Sequence, residues 1–254
     1  MGNPLRYRDL VLALVARDLK VRYRRSVIGF LWTMLQPLLT MLVLMVVFST
    51  AFRFDVPGYP VYALAGIVFW NFFQQSVVTA MQSLRGNAQL LLKVPVPRAV
   101  FPLATVLAGV VNLVLALVPL LAIACLTGHA PGASLWFLPF AIVLAALFTL
   151  GVGLVLAPLA VFFYDIVEMV GVVLTTVMYL TPVFYPVEIV PARFRWLVAL
   201  NPVRHVLQVF RDPIYAGHVA PAGELVVGTL LAIATLAAGA WSFARTSRRI
   251  PFYL

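Results

Sequence analysis

The sequence predicts an all-α membrane protein: six transmembrane helices, an N-terminal amphipathic interface helix and re-entrant helices between spans five and six. Three observations predict it. Of 254 residues, 63% are hydrophobic and only 10% charged, against roughly half and a quarter in soluble domains. Six runs reach the about 20 apolar residues that cross a bilayer. The formal charge of +10, from 18 Lys+Arg against 8 Asp+Glu, falls almost entirely outside those runs, in water or among anionic headgroups.

The first element, 1–26, is basic and helical in period. Arg6, Asp9, Ala13, Arg17, Lys20 and Arg24 share one face, and Leu10, Val11, Leu14, Val15 and Val21 fall opposite, interrupted by Arg8, Asp18 and Arg22. Such a helix lies at a membrane surface, as a basic topology anchor or as an interface to a cytoplasmic protein. The rest, 27–254, is the transmembrane domain, with spans at 27–52, 60–80, 100–126, 135–163, 166–184 and 225–244. The only charge inside them is Glu168, in the first turn of the fifth. Between spans two and three, Ser83 or Asn87 is placed to cap a short helix over 88–93, which Pro95 and Pro97 end in an extended exit. Its triplet Leu90, Leu91 and Leu92 is too apolar to stand in water and packs on membrane, on the N-terminal helix or in a partner's groove. The external segment 185–223 contains an apolar stretch, 194–210, that carries Arg195 and Arg204 and breaks at Asn201-Pro202; it reads as a re-entrant or interfacial helix pair.

With the N-terminus inside, thirteen of the eighteen basic residues face the cytoplasm, so both termini are expected there. The chain offers no energy source of its own. A P-loop needs Gly-Lys-Ser/Thr, and both lysines, Lys20 and Lys93, follow a leucine. Ion-coupled carriers bury ionisable groups at mid-membrane, whereas these spans hold only uncharged polar groups such as Gln36, Asn71, Gln74, Gln75 and Asn112. The three histidines lie in connections and Cys125 is the lone cysteine, so neither intramembrane catalysis nor a metal site is expected. What remains is a conduit driven from elsewhere, or a passive channel.

Four stretches carry a family resemblance: RDLKVRYRRSVIGFLWTMLQPLLTMLVLMVVF (17–48), NAQLLLKVPVPRAVFPL (87–103), YLTPVFYPVEIVP (179–191) and NPVRHVLQVFRDPIYAG (201–217). They resemble, in order and across nearly the whole chain, the type-2 ABC transporter permeases that export polysaccharides, such as O-antigen, teichoic-acid and capsule exporters. The resemblance implies a homodimer in a bacterial inner membrane with two copies of a separate ATP-binding cassette subunit, which would hold ATP and Mg. It places the ATPase contact on the N-terminal helix and first cytoplasmic loop, here Arg17, Lys20, Leu84, Asn87, Leu90, Leu91 and Lys93, and on the second loop with Asp165 and Glu168. The family often carries an Arg before that Asp, where Tyr164 stands here. Spans one and five are implied to line the path, and the helices of 194–210 to gate it externally through Arg195, Trp196, Arg204 and His205.

Sugar rings present apolar C–H faces and polar edges, so aromatics beside amides suit a polysaccharide. Candidates are Trp32 and Gln36 in span one, Phe69, Trp70, Asn71, Phe73 and Gln74 in span two, and Tyr179, Phe184 and Tyr185 at the end of span five; aromatics near span ends also serve as interfacial belts. Arg22, Arg24 and Arg25 at the cytoplasmic mouth suit a pyrophosphate on a lipid-linked substrate or ordinary anionic lipid. The expected function is a permease subunit exporting a lipid-linked or nascent polysaccharide. A permease for a drug or simple lipid, and an ATP-independent channel or scaffold, stay open at this point.

Overall fold

The computed structural model describes residues 7–23, 31–47, 57–94, 96–129, 132–247, 249–250 and 253, and those residues form helices joined by turns, with no strand among them. In chain order the helices are α1 (Arg8–Tyr23), α2 (Leu31–Val47), α3 (Tyr59–Gly86), α4 (Ala88–Lys93), α5 (Val100–Leu126), α6 (Leu138–Phe162, entered through a 3-10 turn at Ala133–Phe137), α7 (Ile166–Leu180), α8 (Arg195–Leu200), α9 (Pro202–Tyr215) and α10 (Ala222–Thr246). Four stretches are long and apolar enough to cross a membrane: α3, α5, α6 with its 3-10 entry, and α10. The expected first and fifth spans appear as α2 and α7, with 17 and 15 described residues.

Burial explains the order of the bundle. The least apolar of the four long helices is α3, and 78% of its most apolar window is buried, against 17% for α10. A span with Asn71, Gln74 and Ser76 is costly against hydrocarbon, so it takes the centre, packed against α2, α5, α6, α7 and α9. The other three long helices are buried over half of that window or less, and their uncovered surface is apolar enough to meet lipid, as good a neighbour as Leu. At the crossing of α6 and α10 two glycines bring the backbones into contact. A Cβ on Gly151 would stand 2.5 Å from the Leu236 nitrogen, and one on Gly239 would collide with the Gly151 carbonyl.

The short elements have local causes. Before Pro182 the helical region is disfavoured, and Thr181 accordingly turns extended at φ −93°, ψ 134°, ending α7. The break at Asn201-Pro202 occurs as expected: Asn201 Oδ1 accepts from Val203 N at 3.0 Å while Pro202 takes the first helical position. Asn87 occupies the cap position of α4, but neither it nor Ser83 caps that helix. Asn87 Nδ2 donates back to the Ser83 carbonyl at 2.8 Å and Ser83 Oγ to Ala80 at 2.7 Å.

At one end of the bundle, Leu14 of α1 is buried with Leu84, Val100, Phe101, Leu154, Val161, Phe243 and Ile250. Tyr7, Leu10, Val11 and Val15 flank it, as do Leu90 and Leu91 of α4. Arg98 donates to the Ser247 carbonyl there, tying the start of α5 to the end of α10. The apolar stripe of α1 is therefore seated largely on its own chain. Leu12 and Val21 stay exposed.

Candidate functional site

Two built regions lie at opposite ends of the bundle. At the α1 end, three elements form a platform. Arg17 Nη1 donates to Asn87 Oδ1 at 2.7 Å, joining α1 to α4, while the same guanidinium pairs with Asp18 at 2.9 Å. Arg85, at the end of α3, reaches the α6–α7 loop: Nη2 donates to the Val161 carbonyl at 3.1 Å, and the guanidinium lies 4.9 Å from the centre of the Tyr164 ring. Tyr164 is 83% exposed, and Phe163, Asp165 and Glu168 are exposed beside it, as are Leu92 and Lys93 on α4. Of the expected coupling residues, Lys20, Lys93, Asp165 and Glu168 thus face outward. Leu84 is fully buried and Leu90 and Leu91 are half-buried against the chain's own core, so these three hold the platform together.

Between the ends, α2 and α7 each rest one face on the core and leave the other uncovered. Leu174 is the only buried residue among those described on α7, and Met169, Val172, Val173 and Tyr179 are exposed. On α2, Gln36 and Thr40 share the exposed surface with Leu39 and Val43. The side chain of Trp32 lies outside the described residues, as do the side chain of Arg22 and all of Arg24 and Arg25.

The aromatics of α3 lie inside the protomer. Phe69, Trp70 and Phe73 are buried in the protomer core, Phe69 against Phe210, Phe73 against Trp70 and Phe148, so they pack the bundle instead of presenting ring faces to a path on its surface. The Trp70 indole N–H is satisfied within the helix by Gln74 Oε1 at 2.8 Å. Phe73 and Phe148 also reach the wall of an apolar cleft of 360 Å³, lined by Leu174, Val177 and Leu180 of α7 and by Leu197 and Leu200 of α8. Asn71 and Gln74 are half-buried.

At the far end, Glu224 receives Arg204 Nη2 at 3.1 Å and faces His205 Nδ1 at 2.6 Å, which joins α9 to the first turn of α10; His205 Nε2 faces the Ala199 carbonyl at 3.0 Å. Arg195 donates to the carbonyls of Val190 and Glu188 at 2.9 and 3.0 Å, and Trp196 is exposed. Tyr185 donates to the Tyr179 carbonyl at 2.7 Å, with Phe184 half-buried 6.4 Å from the exposed Tyr179 ring. Burial pushes the Asp212 carboxyl above the ordinary carboxylate range, with Arg211 and His218 pulling the other way.

Sequence reasoning singled out none of Arg85, Glu224, Tyr59 and Arg211. A signal existed for two of them. Glu224 is one of eight acidic residues, and Arg211 falls at helical spacing on the apolar face of Val203, Leu207 and Ile214.

A bundle of apolar spans whose polar contacts gather at its two ends has the build of a membrane permease. The chain belongs to the ABC-2 type transporter family, whose model matches residues 9–215. It is 32% identical over 248 residues to the O-antigen export system permease protein RfbA of Myxococcus xanthus, covering 97% of this chain and 95% of that one. It is 29% identical over 205 residues to the protein of the same name from Klebsiella pneumoniae, covering 80% and 79%. The capsule polysaccharide export inner-membrane protein CtrC of Neisseria meningitidis serogroup B is 26% identical over 215 residues, covering 84% and 81%.

Proposed function

We propose that this chain is the permease subunit of an ATP-driven exporter that moves a lipid-linked or nascent polysaccharide outward across the inner membrane. The observation that carries this reading is the likeness, along almost the full chain, to relatives named for O-antigen and capsule export. In this reading α2 and α7 complete six spans, both termini are cytoplasmic, and α8–α9 form a re-entrant pair at the outer mouth. Two copies meet along the bare faces of α2 and α7, with Gln36, Thr40 and Tyr179 offered to the sugar. Two ATP-binding cassette subunits, loaded with ATP and Mg, dock under the platform and bear on Leu92, Phe163 and Tyr164. Arg22, Arg24 and Arg25 attract the anionic headgroup.

The platform supports this division of labour. Its exposed apolar groups stand among charges at the end that holds the strongly basic N-terminal segment, the arrangement expected for a soluble partner beneath a membrane. The test is deletion and complementation. Loss of the chain should remove a long-chain polysaccharide from the cell surface while the polymer accumulates inside, and affinity purification should bring down an ATP-binding subunit. A chain that purifies alone, with surface polysaccharide intact in the deletion strain, overturns the proposal.

A further inference from the structure

The segment that joins α7 to α8 is held far more firmly than α7 itself. Thr181 and Val183 are fully buried, and Gly66 of α3 lies so close to the Val183 carbonyl that any side chain there would collide with it. Prolines at 182 and 186 break the backbone ladder, leaving carbonyls that must find donors elsewhere. Side chains from α3 and α9 supply them. Tyr59 donates to the Phe184 carbonyl at 3.0 Å, and the Tyr62 hydroxyl lies 2.9 and 3.2 Å from those of Tyr185 and Pro182. Arg211 Nη2 donates to Pro182 at 2.7 Å, its guanidinium stacked 4.0 Å over the Tyr62 ring. Asn201, at the break between α8 and α9, adds a bond to Thr181 Oγ1 at 2.8 Å.

Arg211 is only 5% exposed, and it forms no ion pair among the described residues. A buried guanidinium without a carboxylate is a costly way to hold a loop. It does what an aliphatic side chain cannot: it grips a carbonyl and an aromatic face at once. At the other end of α7, Ile166 and Val167 are only half-buried on the core, and the side-chain hold is one step removed: Arg85 reaches the preceding loop at the Val161 carbonyl and the exposed Tyr164 ring, with no bond among the described residues to α7 itself.

We infer that Arg211, with Tyr59 and Tyr62, is a positioning group that makes residues 181–185 the fixed fulcrum of α7, so that the helix swings from its platform end while its far end stays locked to α3 and α9. The inference rests on the exporter reading only for the source of the motion. The geometry gives the swing a scale. Fifteen residues rise about 22 Å, so a tilt of about 10° moves the free end by about 4 Å and the pinned end hardly at all. Because Asn201 bonds the same segment, the root of the α8–α9 pair stays still during the swing.

The test uses the full chain with its ATPase partner in lipid nanodiscs, with Cys125 replaced by Ala. Spin labels are placed by Leu126→Cys, a reference at the exposed end of α5, together with Met169→Cys or Leu180→Cys. Labelled chain is diluted in unlabelled chain so that distances are read within one copy. On trapping ATP, the Met169 distance should shift by about 3 Å and the Leu180 distance by under about 1 Å. In Tyr62→Phe and in Arg211→Lys the Leu180 shift should rise to match that of Met169, with the complex assembled and still hydrolysing ATP. A purely structural role would lower stability without redistributing the motion between the two ends. Equal shifts at both positions in the unsubstituted protein overturn the fulcrum, as does a Leu180 label that stays fixed in both variants. If neither position responds while export proceeds, the fulcrum fails and the exporter reading stands. If no ATPase partner purifies with the chain, both fall.

Discussion

α3 and α7 were both expected to cross the membrane and both to offer aromatics to a substrate, yet their surroundings are opposite. α3 is enclosed by five other helices and buries Phe69, Trp70, Phe72 and Phe73. α7 buries only Leu174 and leaves most of its length uncovered. The difference teaches that aromatic content does not by itself mark a transport path: rings in a central helix fill space inside the protomer, while the uncovered helix is the one free to meet a second copy, lipid or cargo. It also assigns each helix a kind of sensitivity. Substitution in α3 should be read first in stability, substitution in α7 first in transport.

The largest effect should come where backbones touch. Gly151→Val would drive a branched side chain into the α10 backbone at Leu236, and small residues at such crossings are what let membrane helices associate. We expect loss of folded protein, seen as failure to recover a monodisperse peak in detergent. Next, Phe69→Ala in the enclosed helix should cost about 3–5 kcal/mol through lost burial and a residual cavity. On the bare helix, Val172→Ala should stay within about 0.5 kcal/mol while altering export. Thermal unfolding of both variants beside a surface-polysaccharide assay breaks the comparison if Val172→Ala destabilises as much as Phe69→Ala.

Much of the architecture was legible. Period and composition located α5 to the residue, and a single Asn-Pro pair located the α8–α9 break, because a proline without an N–H and an asparagine cap act locally. The neighbours of each span were not legible, because a run apolar on all sides carries no face to read. Phe69, Trp70 and Phe73 look alike whether they line a path or fill a core, and the centrality of α3 follows from packing against helices as distant in sequence as α7 and α9. The platform was legible in part. Its leucines announced that they must be covered, yet Leu14 and Phe101 as the cover became apparent only from long-range contacts. Arg85 and Arg211 were missed for a related reason: both act on backbone carbonyls, and carbonyls leave no mark in a sequence.

A smaller effect is expected where the α8–α9 pair meets the end of α7. Asn201→Ala removes a helix cap and the bond to Thr181 together. The cap alone is worth about 1 kcal/mol, so a loss of about 1–2 kcal/mol should appear as a modest fall in melting temperature. Asn201→Asp keeps the acceptor for Val203 N and loses the donor to Thr181, so it should recover the cap contribution only. If Asn201→Asp is as unstable as Asn201→Ala, the bond to α7 outweighs the cap, and the end of α7 depends on the helix pair more than on its own turn.

The smallest effect should lie on the platform. Arg17 and Asn87 are joined by a charge-assisted bond of 2.7 Å, but the pair is exposed and Arg17 is shared with Asp18. Water competes for both partners, so their coupling in a double-mutant cycle should be about 0.5–1 kcal/mol. The packing of Leu14 with Leu90 and Leu91 should carry most of what holds α1 to α4. Four unfolding curves, for the parent chain, Arg17→Ala, Asn87→Ala and the double variant, measure that coupling directly. A value above about 2 kcal/mol would mean that one polar contact, and not the leucines, sets the register of α1 on α4. Arg17→Lys would then fail to restore it, since an ammonium lacks the planar fork that serves Asp18 and Asn87 at once.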